Sequence, residues 1–231
     1  MKIFAFIFAR AGSKGLKNKN IKKFNKKPLI NYTIDFAKKS KFFDKIILSS
    51  DKKSILKYGE KKNIYTIQRP KKLSQDNSPE LTAWKHAVKF IKRKNLDFDL
   101  MVVLPVTSPL RILDDIKRSV KKINKSNTDL VITISESSRH PAFNVVKKIK
   151  NNLIQLYDPK NKNIFRRQDV KKIYNISTIS YVVKPEYVLK AKNLLEGRVR
   201  AIEVPQIRAI DIDNIYDFKI AEYLYKELRI K

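Results

Sequence analysis

The chain has 231 residues, 42% of them hydrophobic, with 52 Lys+Arg against 22 Asp+Glu and a formal net charge of +30. That length suits one large domain with a substantial core. The absence of cysteine excludes a disulfide framework and thiol chemistry, two histidines argue against a His-rich metal site, and no stretch approaches the ~20 apolar residues that cross a bilayer. With no signal-peptide pattern at the N-terminus, a cytoplasmic location and no membrane partner are expected. So basic a chain attracts polyanions. Its lysines, however, are spread through helical stretches as pairs, and no zinc-finger or RNP-type pattern accompanies them. That distribution fits a solvated surface better than a nucleic-acid interface.

Taken in chain order, "KIFAFIF" reads as a first strand. A basic loop with two of the four glycines follows, then a helix over "PLINYTIDFAKKS" with Pro28 in its first turn. "KIILSS" is a second strand, "KSILKYGEKK" a helix and "IYTIQ" a short strand. "SPELTAWKHAVKFIKRK" is a long amphipathic helix, with Ser78 expected as N-cap and Pro79 at the first helical position. "LMVVLPV" is a continuous apolar run, as a buried central strand requires. A helix over "ILDDIKRSVKKINKS" and a strand over "DLVITIS" complete a βαβα succession. This order predicts an α/β fold with a parallel or mostly parallel sheet flanked by helices.

Between residues 137 and 183 the pattern changes. "AFNVVKKIK", "NLIQLY" and "ISTISYVV" read as strands without long helices between them, which predicts an antiparallel lobe inserted into a single domain spanning 1–231. The helix "PEYVLKAKNLL", the strand "VRAIEVP" and a terminal helix "IYDFKIAEYLYKEL" return to the α/β layer.

In open α/β sheets ligands bind beyond the carboxyl ends of the strands. The loop after strand one lies at such an end. Gly12 and Gly15 permit close backbone approach to phosphate oxygens, and Arg10, Lys14 and Lys19 add positive charge. The spacing matches neither the Walker A pattern nor GxGxxG. Near the C-terminus, Asp211 and Asp213 are two apart, so an extended chain presents both carboxylates on one face. Such a pair suits Mg²⁺ held together with substrate phosphates. Asp213 also reads as a cap for the terminal helix. A basic glycine loop and a DxD pair in an α/β chain together suggest nucleotide-dependent transfer.

The chain resembles the CMP-sugar synthetases of the acylneuraminate cytidylyltransferase family. The resemblance rests on "ARAGSKGLKNKNI", "KPLINYTI", "SSD", Arg69-Pro70, "TSPLR" at 107–111, "RRQD" at 166–169 and "DID" at 211–213, in family order over almost the whole chain. It implies a Rossmann-like nucleotidyltransferase fold with a small antiparallel dimerisation lobe. It also implies transfer of a cytidylyl group from CTP to a sialic-acid-like 2-keto acid sugar, with Mg²⁺ as cofactor and pyrophosphate released. Arg10, Gly12, Ser13, Lys14 and Gly15 would hold the triphosphate, Lys19 and Asn20 the nucleotide, and Asp211 and Asp213 the metal. Arg69, Thr107 and Ser108 would line the substrate site. Arg166, Arg167 and Gln168 in the lobe of a homodimer would reach the acceptor in the neighbouring subunit. Three departures fall on the acceptor side: Pro105-Val106 replaces Gln-Pro, Ser177-Thr178 replaces Asn-Gly, and Pro79-Glu80 replaces small hydroxyl residues. A Kdo-type acceptor or another base is the alternative within the fold, and a basic nucleic-acid-binding protein the alternative outside it.

Overall fold

The computed structural model describes residues 1–12, 15–125, 127–158, 166, 170–228 and 230. The first strand, β1 (Ile3–Phe8), is followed by a 3₁₀ turn and by a two-residue pairing of β2 (Lys23–Phe24) with β3 (Lys27–Pro28). Then come α1 (Leu29–Ser40), β4 (Lys45–Ser50), α2 (Lys53–Glu60), β5 (Tyr65–Gln68), α3 (Glu80–Lys92), β6 (Leu100–Val103), α4 (Leu113–Lys125) and β7 (Leu130–Glu136). The chain continues through β8 (Val146–Lys148), β9 (Ile154–Leu156), β10 (Tyr174–Val183), α5 (Pro185–Lys190), β11 (Val199–Glu203) and α6 (Ile215–Glu227).

Seven strands form one sheet in the order β11-β7-β10-β6-β1-β4-β5. Pairings of β1 with β4 and β6, β4 with β5, and β7 with β11 are parallel. β10 runs antiparallel to both its neighbours, β6 and β7. The alternation of side chains along each strand divides the core into two. On one face Ile3, Ala5, Ile7, Leu48 and Val102 pack with buried residues of α1, α2, α4 and α6. On the other, Phe4, Phe6, Ile47, Met101 and Val103 pack with α3 and α5. The expected α/β architecture, a mostly parallel sheet with helices on both faces, is the one observed. Among the described residues no helix is long and apolar enough to cross a membrane.

Three local expectations need correction. The strand "ISTISYVV" is not part of a separate lobe: it lies in the centre of the main sheet, where Ile179, Val182 and Val183 are fully buried. Apolar alternation does not distinguish a strand that returns to the sheet from one that leaves it. Outside the sheet the excursion keeps a short hairpin of β8 with β9, whose residues Val146, Leu153 and Ile154 are exposed. Ser78 does not cap α3; its hydroxyl donates to the Lys72 carbonyl, and Pro79 occupies the cap position without a side-chain bond. Asp213 does not cap α6. Asn214 does, in a reciprocal capping box with Asp217.

The edge strand β11 is tied by charge to its neighbour β7 and to α4. Asp129, just before β7, receives the Arg198 backbone N–H at 3.0 Å and its guanidinium at 2.9 and 3.0 Å. On the outer edge, Lys122 donates to the Ala201 carbonyl at 2.9 Å and Arg118 to the Glu203 carbonyl at 3.1 Å, so α4 caps two acceptors of β11.

The Arg198 hydrogen bonds hold the Asp129 carboxyl down to about 2. A lowered carboxyl pKa contributes stability above the ordinary value, and that contribution is lost as pH falls through the folded one. Asp129→Asn should therefore lower Tm by about 2–4 °C at pH 5–8. The difference should vanish near pH 2. Thermal melts of both chains across that range check it.

Candidate active site

The loop after β1 is fixed from behind. Ala9 donates to the Ser49 carbonyl at 3.0 Å, and Ala11 donates to Asp51 Oδ1 at 2.9 Å. Asn20 Nδ2 donates to the Arg10 carbonyl at 3.0 Å, which makes the buried Asn20 a strut of the loop. Gly12 has φ +80°, a conformation that L side chains rarely adopt. Gly15 is needed for a different reason: a Cβ there would lie 2.3 Å from the Asp213 carbonyl oxygen. The loop therefore presses directly on the DID segment.

That segment is held by three contacts. The 3₁₀ turn Gln206–Arg208 is anchored by Arg208, whose guanidinium grips the fully buried Asp115 carboxylate of α4, and Arg118 binds the same carboxylate at 3.0 Å. Ile212 donates its N–H to the Thr107 carbonyl at 3.0 Å. Because Asn214 does the capping, the Asp213 carboxylate is left to pair with Lys19 Nζ at 2.9 Å. Asp211, one strand step earlier, is partly buried. Thr107 and Thr178 place hydroxyls beside its carboxyl, yet its buried Oδ1 has no hydrogen-bond partner among the described residues.

These pieces frame a cleft of about 540 Å³ at the carboxyl ends of β1 and β6. Of the residues singled out from sequence, Arg10, Gly15, Lys19, Asn20, Arg69, Thr107 and Asp213 line it. Asp211 stands behind Thr107. Ser108 is fully buried and shares a 2.6 Å hydrogen bond with Thr178, so it supports the wall without facing the cleft. Gly12 borders an adjoining crevice with Arg10 and Asn20. Arg166 is exposed and does not line the cleft. Ser13, Lys14, Arg167 and Gln168 lie outside the described residues.

Sequence reasoning misses part of the lining. Phe8, Ser74, Gln75 and Asp76 also face the cleft, together with Glu80 and Pro105, which the sequence marks only as departures from the family pattern. Asp76 holds the Arg10 guanidinium at 2.9 Å. Glu80, in the first turn of α3, accepts from Trp84 Nε1 at 3.2 Å. The signal was present for both: Asp76 follows Arg69-Pro70 by a short turn, and Glu80 stands directly after the proline that opens α3.

The electrostatics suit an anionic ligand that displaces water. Arg69 is 4% exposed, its Nε has no hydrogen-bond partner among the described residues, and burial lowers its pKa. An unpaired buried N–H of this kind is satisfied by an incoming anion. Glu80 opens onto the cleft but is crowded by protein behind it, and desolvation, reinforced by Asp211, raises its pKa. Asp211 is likewise raised, first by desolvation and then by Asp213. A carboxylate with a bare buried oxygen beside a second carboxylate is a donor set that fits a hard divalent cation. Among the described residues, no three His, Cys, Asp or Glu side chains cluster for a metal, so phosphates or water would complete the coordination.

The sequence model of one family, described as cytidylyltransferase, matches residues 4–230. The chain belongs to the cytidylyltransferase family. It is 30% identical to a pseudaminic acid cytidylyltransferase of Campylobacter jejuni over 98% of this chain and 97% of that one. It is 32% identical to a CMP-N,N'-diacetyllegionaminic acid synthase of the same species, over 96% and 94%. It is 30% identical to post-translational flagellin modification protein B of Campylobacter coli, over 99% and 97%. Among solved structures it shares its fold with a CMP:2-keto-3-deoxy-manno-octonic acid synthetase complexed with CTP, with a TM-score of 0.73 at 14% identity over 99% and 100% of the two chains. This cytidylyltransferase is thus a nucleotidyltransferase enzyme.

Desolvation of the Asp211 charge in this cytidylyltransferase has a measurable cost. A raised carboxyl pKa means that stability falls as pH rises from the ordinary carboxyl value through the raised folded one, and the full cost of the ionised form is present above both. Asp211→Asn should therefore raise Tm by about 1–3 °C at pH 8, with no gain below pH 3, where the carboxyl is protonated in both states. Calorimetry at the two pH values tests this; a destabilised variant at pH 8 would contradict it.

Proposed function

We propose that the enzyme transfers the cytidylyl group of CTP to a nonulosonic acid, a 2-keto acid sugar, giving a CMP-sugar and pyrophosphate. The observation that carries this reading is the convergence of the basic opening loop and the DID segment on one cleft in a chain of this family. Relatives that it matches along nearly their whole length act on pseudaminic and legionaminic acids.

The anomeric hydroxyl of the acceptor attacks the α-phosphorus. A new P–O bond forms, the bond to the bridging oxygen breaks, the electron pair leaves on pyrophosphate and the hydroxyl proton passes to solvent. Little covalent work falls to the protein, and positioning with charge stabilisation dominates. Arg10, Lys14 and Arg69 bind the triphosphate and stabilise charge developing on the leaving group. Asn20 orders the loop through the Arg10 carbonyl. Asp211 and Asp213 would hold Mg²⁺, which supplies polarisation of the phosphate when bound. Lys19 keeps the Asp213 carboxylate oriented.

Incubation with CTP, Mg²⁺ and a panel of nonulosonic acids and Kdo, with mass analysis for CMP-sugars, tests the reading. Product with Kdo alone would favour the alternative acceptor. Arg10→Ala should lower turnover by about a hundredfold, as loss of a transition-state donor does. Asp211→Asn and Asp213→Asn should abolish Mg²⁺-dependent turnover while circular dichroism stays unchanged. Full activity in EDTA would remove the metal from the mechanism.

The homodimer is part of the same proposal. The β8–β9 hairpin exposes Val146, Leu153, Ile154 and Tyr157, and Ile176 of β10 is 52% exposed. An apolar surface of this kind suits a two-fold contact. If Arg166 or Arg167 reaches the neighbouring site, Asp211→Asn and Arg167→Ala chains should complement. Equal mixing with free exchange restores about a quarter of wild-type activity by chain statistics. A monomer in light scattering, or no rescue despite exchange, would exclude the shared site.

A further inference from the structure

Arg111 is fully buried at the loop between β6 and α4. Among the described residues no carboxylate forms an ion pair with its guanidinium. It spends its donors on neutral oxygens instead: Nε on the Ile179 carbonyl at 3.1 Å, Nη1 on Thr33 Oγ1 at 3.1 Å, and Nη2 on the Pro105 carbonyl. Burial without a direct counter-ion brings its pKa down to about 9, with Asp115 offering distant compensation. A buried charge is costly, and an apolar side chain of similar volume is commonly neutral or stabilising in its place. Its use here therefore needs a reason beyond filling space.

The acceptors supply that reason. Pro105 is on the wall of the cleft and begins the turn that carries Thr107 and Ser108. Ile179 lies in the irregular part of β10, where the pairing with β7 shifts register between Ser177 and Tyr181. That irregularity presents Thr178, which bonds Ser108 at 2.6 Å. Thr107 from the first loop and Thr178 from the second are the hydroxyls beside Asp211. One rigid planar fork thus spans the two backbone segments that enclose the Asp211 carboxyl, and Thr33 fixes the fork to α1. A guanidinium does this because its donors diverge in fixed directions; a lysine has one point charge on a flexible stem.

We infer that Arg111 is a positioning residue for the nucleotidyl transfer, holding the Thr107 and Thr178 hydroxyls so that the Asp211 carboxyl is kept in one orientation. The inference rests on the cytidylyl-transfer reading for its kinetic arm only. With the acceptor that the wild type turns over, Arg111→Lys should lower kcat about tenfold or more, since small misplacements at a reacting centre are expensive. KM for CTP should stay within about twofold, as expected when an interaction specific to the transition state is lost. Thr178→Val should behave alike. The double variant should cost less than the product of the single effects, because both act through one carboxyl.

A second arm needs no substrate. The Asp211 carboxyl ¹³C resonance, assigned by its loss in Asp211→Asn, should shift in both Arg111→Lys and Thr178→Val. A folded Arg111→Lys chain with wild-type kcat, or with an unmoved Asp211 resonance, overturns the inference. Should Arg111→Lys fail to fold, Thr178→Val decides, and an unmoved resonance there overturns it equally. A wild type that turns over no nonulosonic acid defeats the functional reading, while the resonance still answers the positioning question.

Discussion

The contact between the first loop and the DID segment governs this molecule. Lys19 and Asp213 are 194 positions apart in sequence, yet they form a 2.9 Å ion pair, and Gly15 allows the backbones to meet beside it. Lys19 is mostly buried, whereas the Asp213 side chain is 74% exposed. The ammonium is thus sheltered and the carboxylate faces the cleft. Both sides of this meeting are braced from behind. Asp51 and Asn20 brace one partner, Arg208 on Asp115 braces the other, and α6 is started by Asn214 so that Asp213 remains available.

The sheet makes the meeting possible. Its parallel strands deliver the ends of β1 and β6 to one edge, where loops are free to vary in sequence. The reversed strand β10 changes what lies next to that edge. Running against β6, it brings its irregular stretch, not a regular strand terminus, to the cleft side. The wall that holds Asp211 is therefore built from a turn and a bulge. Such features re-aim side chains more readily than regular strands do.

Most of the architecture is legible in sequence because it follows from periodicity. The buried run at β6 and the amphipathic helices α3 and α4 fall where their patterns place them. The antiparallel sense of β10 is read, but which sheet a strand joins leaves no such trace, so its return to the centre of the main sheet could not be read. Caps are also ambiguous in sequence: Asn214, next to Asp213, takes the cap of α6, whereas at α3 the cap position falls to Pro79 and no side chain caps it. At the site, glycines, basic residues and the paired acids announce themselves through residue type. Phe8, Ser74 and Gln75 do not, since each is ordinary in its local context and gains meaning only when distant segments close around it. Arg111 shows the same limit in reverse. It sits inside a recognisable motif, but only three-dimensional contacts reveal that it touches carbonyls and a hydroxyl rather than a substrate.

The capped edge of β11 bears on how so basic a protein meets other chains. An edge strand offers a row of open amides and carbonyls to any passing chain. Here Lys122 and Arg118 occupy the carbonyls of Ala201 and Glu203. A foreign strand would have to evict two cations before it could extend the sheet, and it would bring its own backbone into a field that repels other copies of this chain. The lysine-rich helix thus leaves two outward carbonyls of β11 already paired, so the open end of the sheet is a poor template for a further strand.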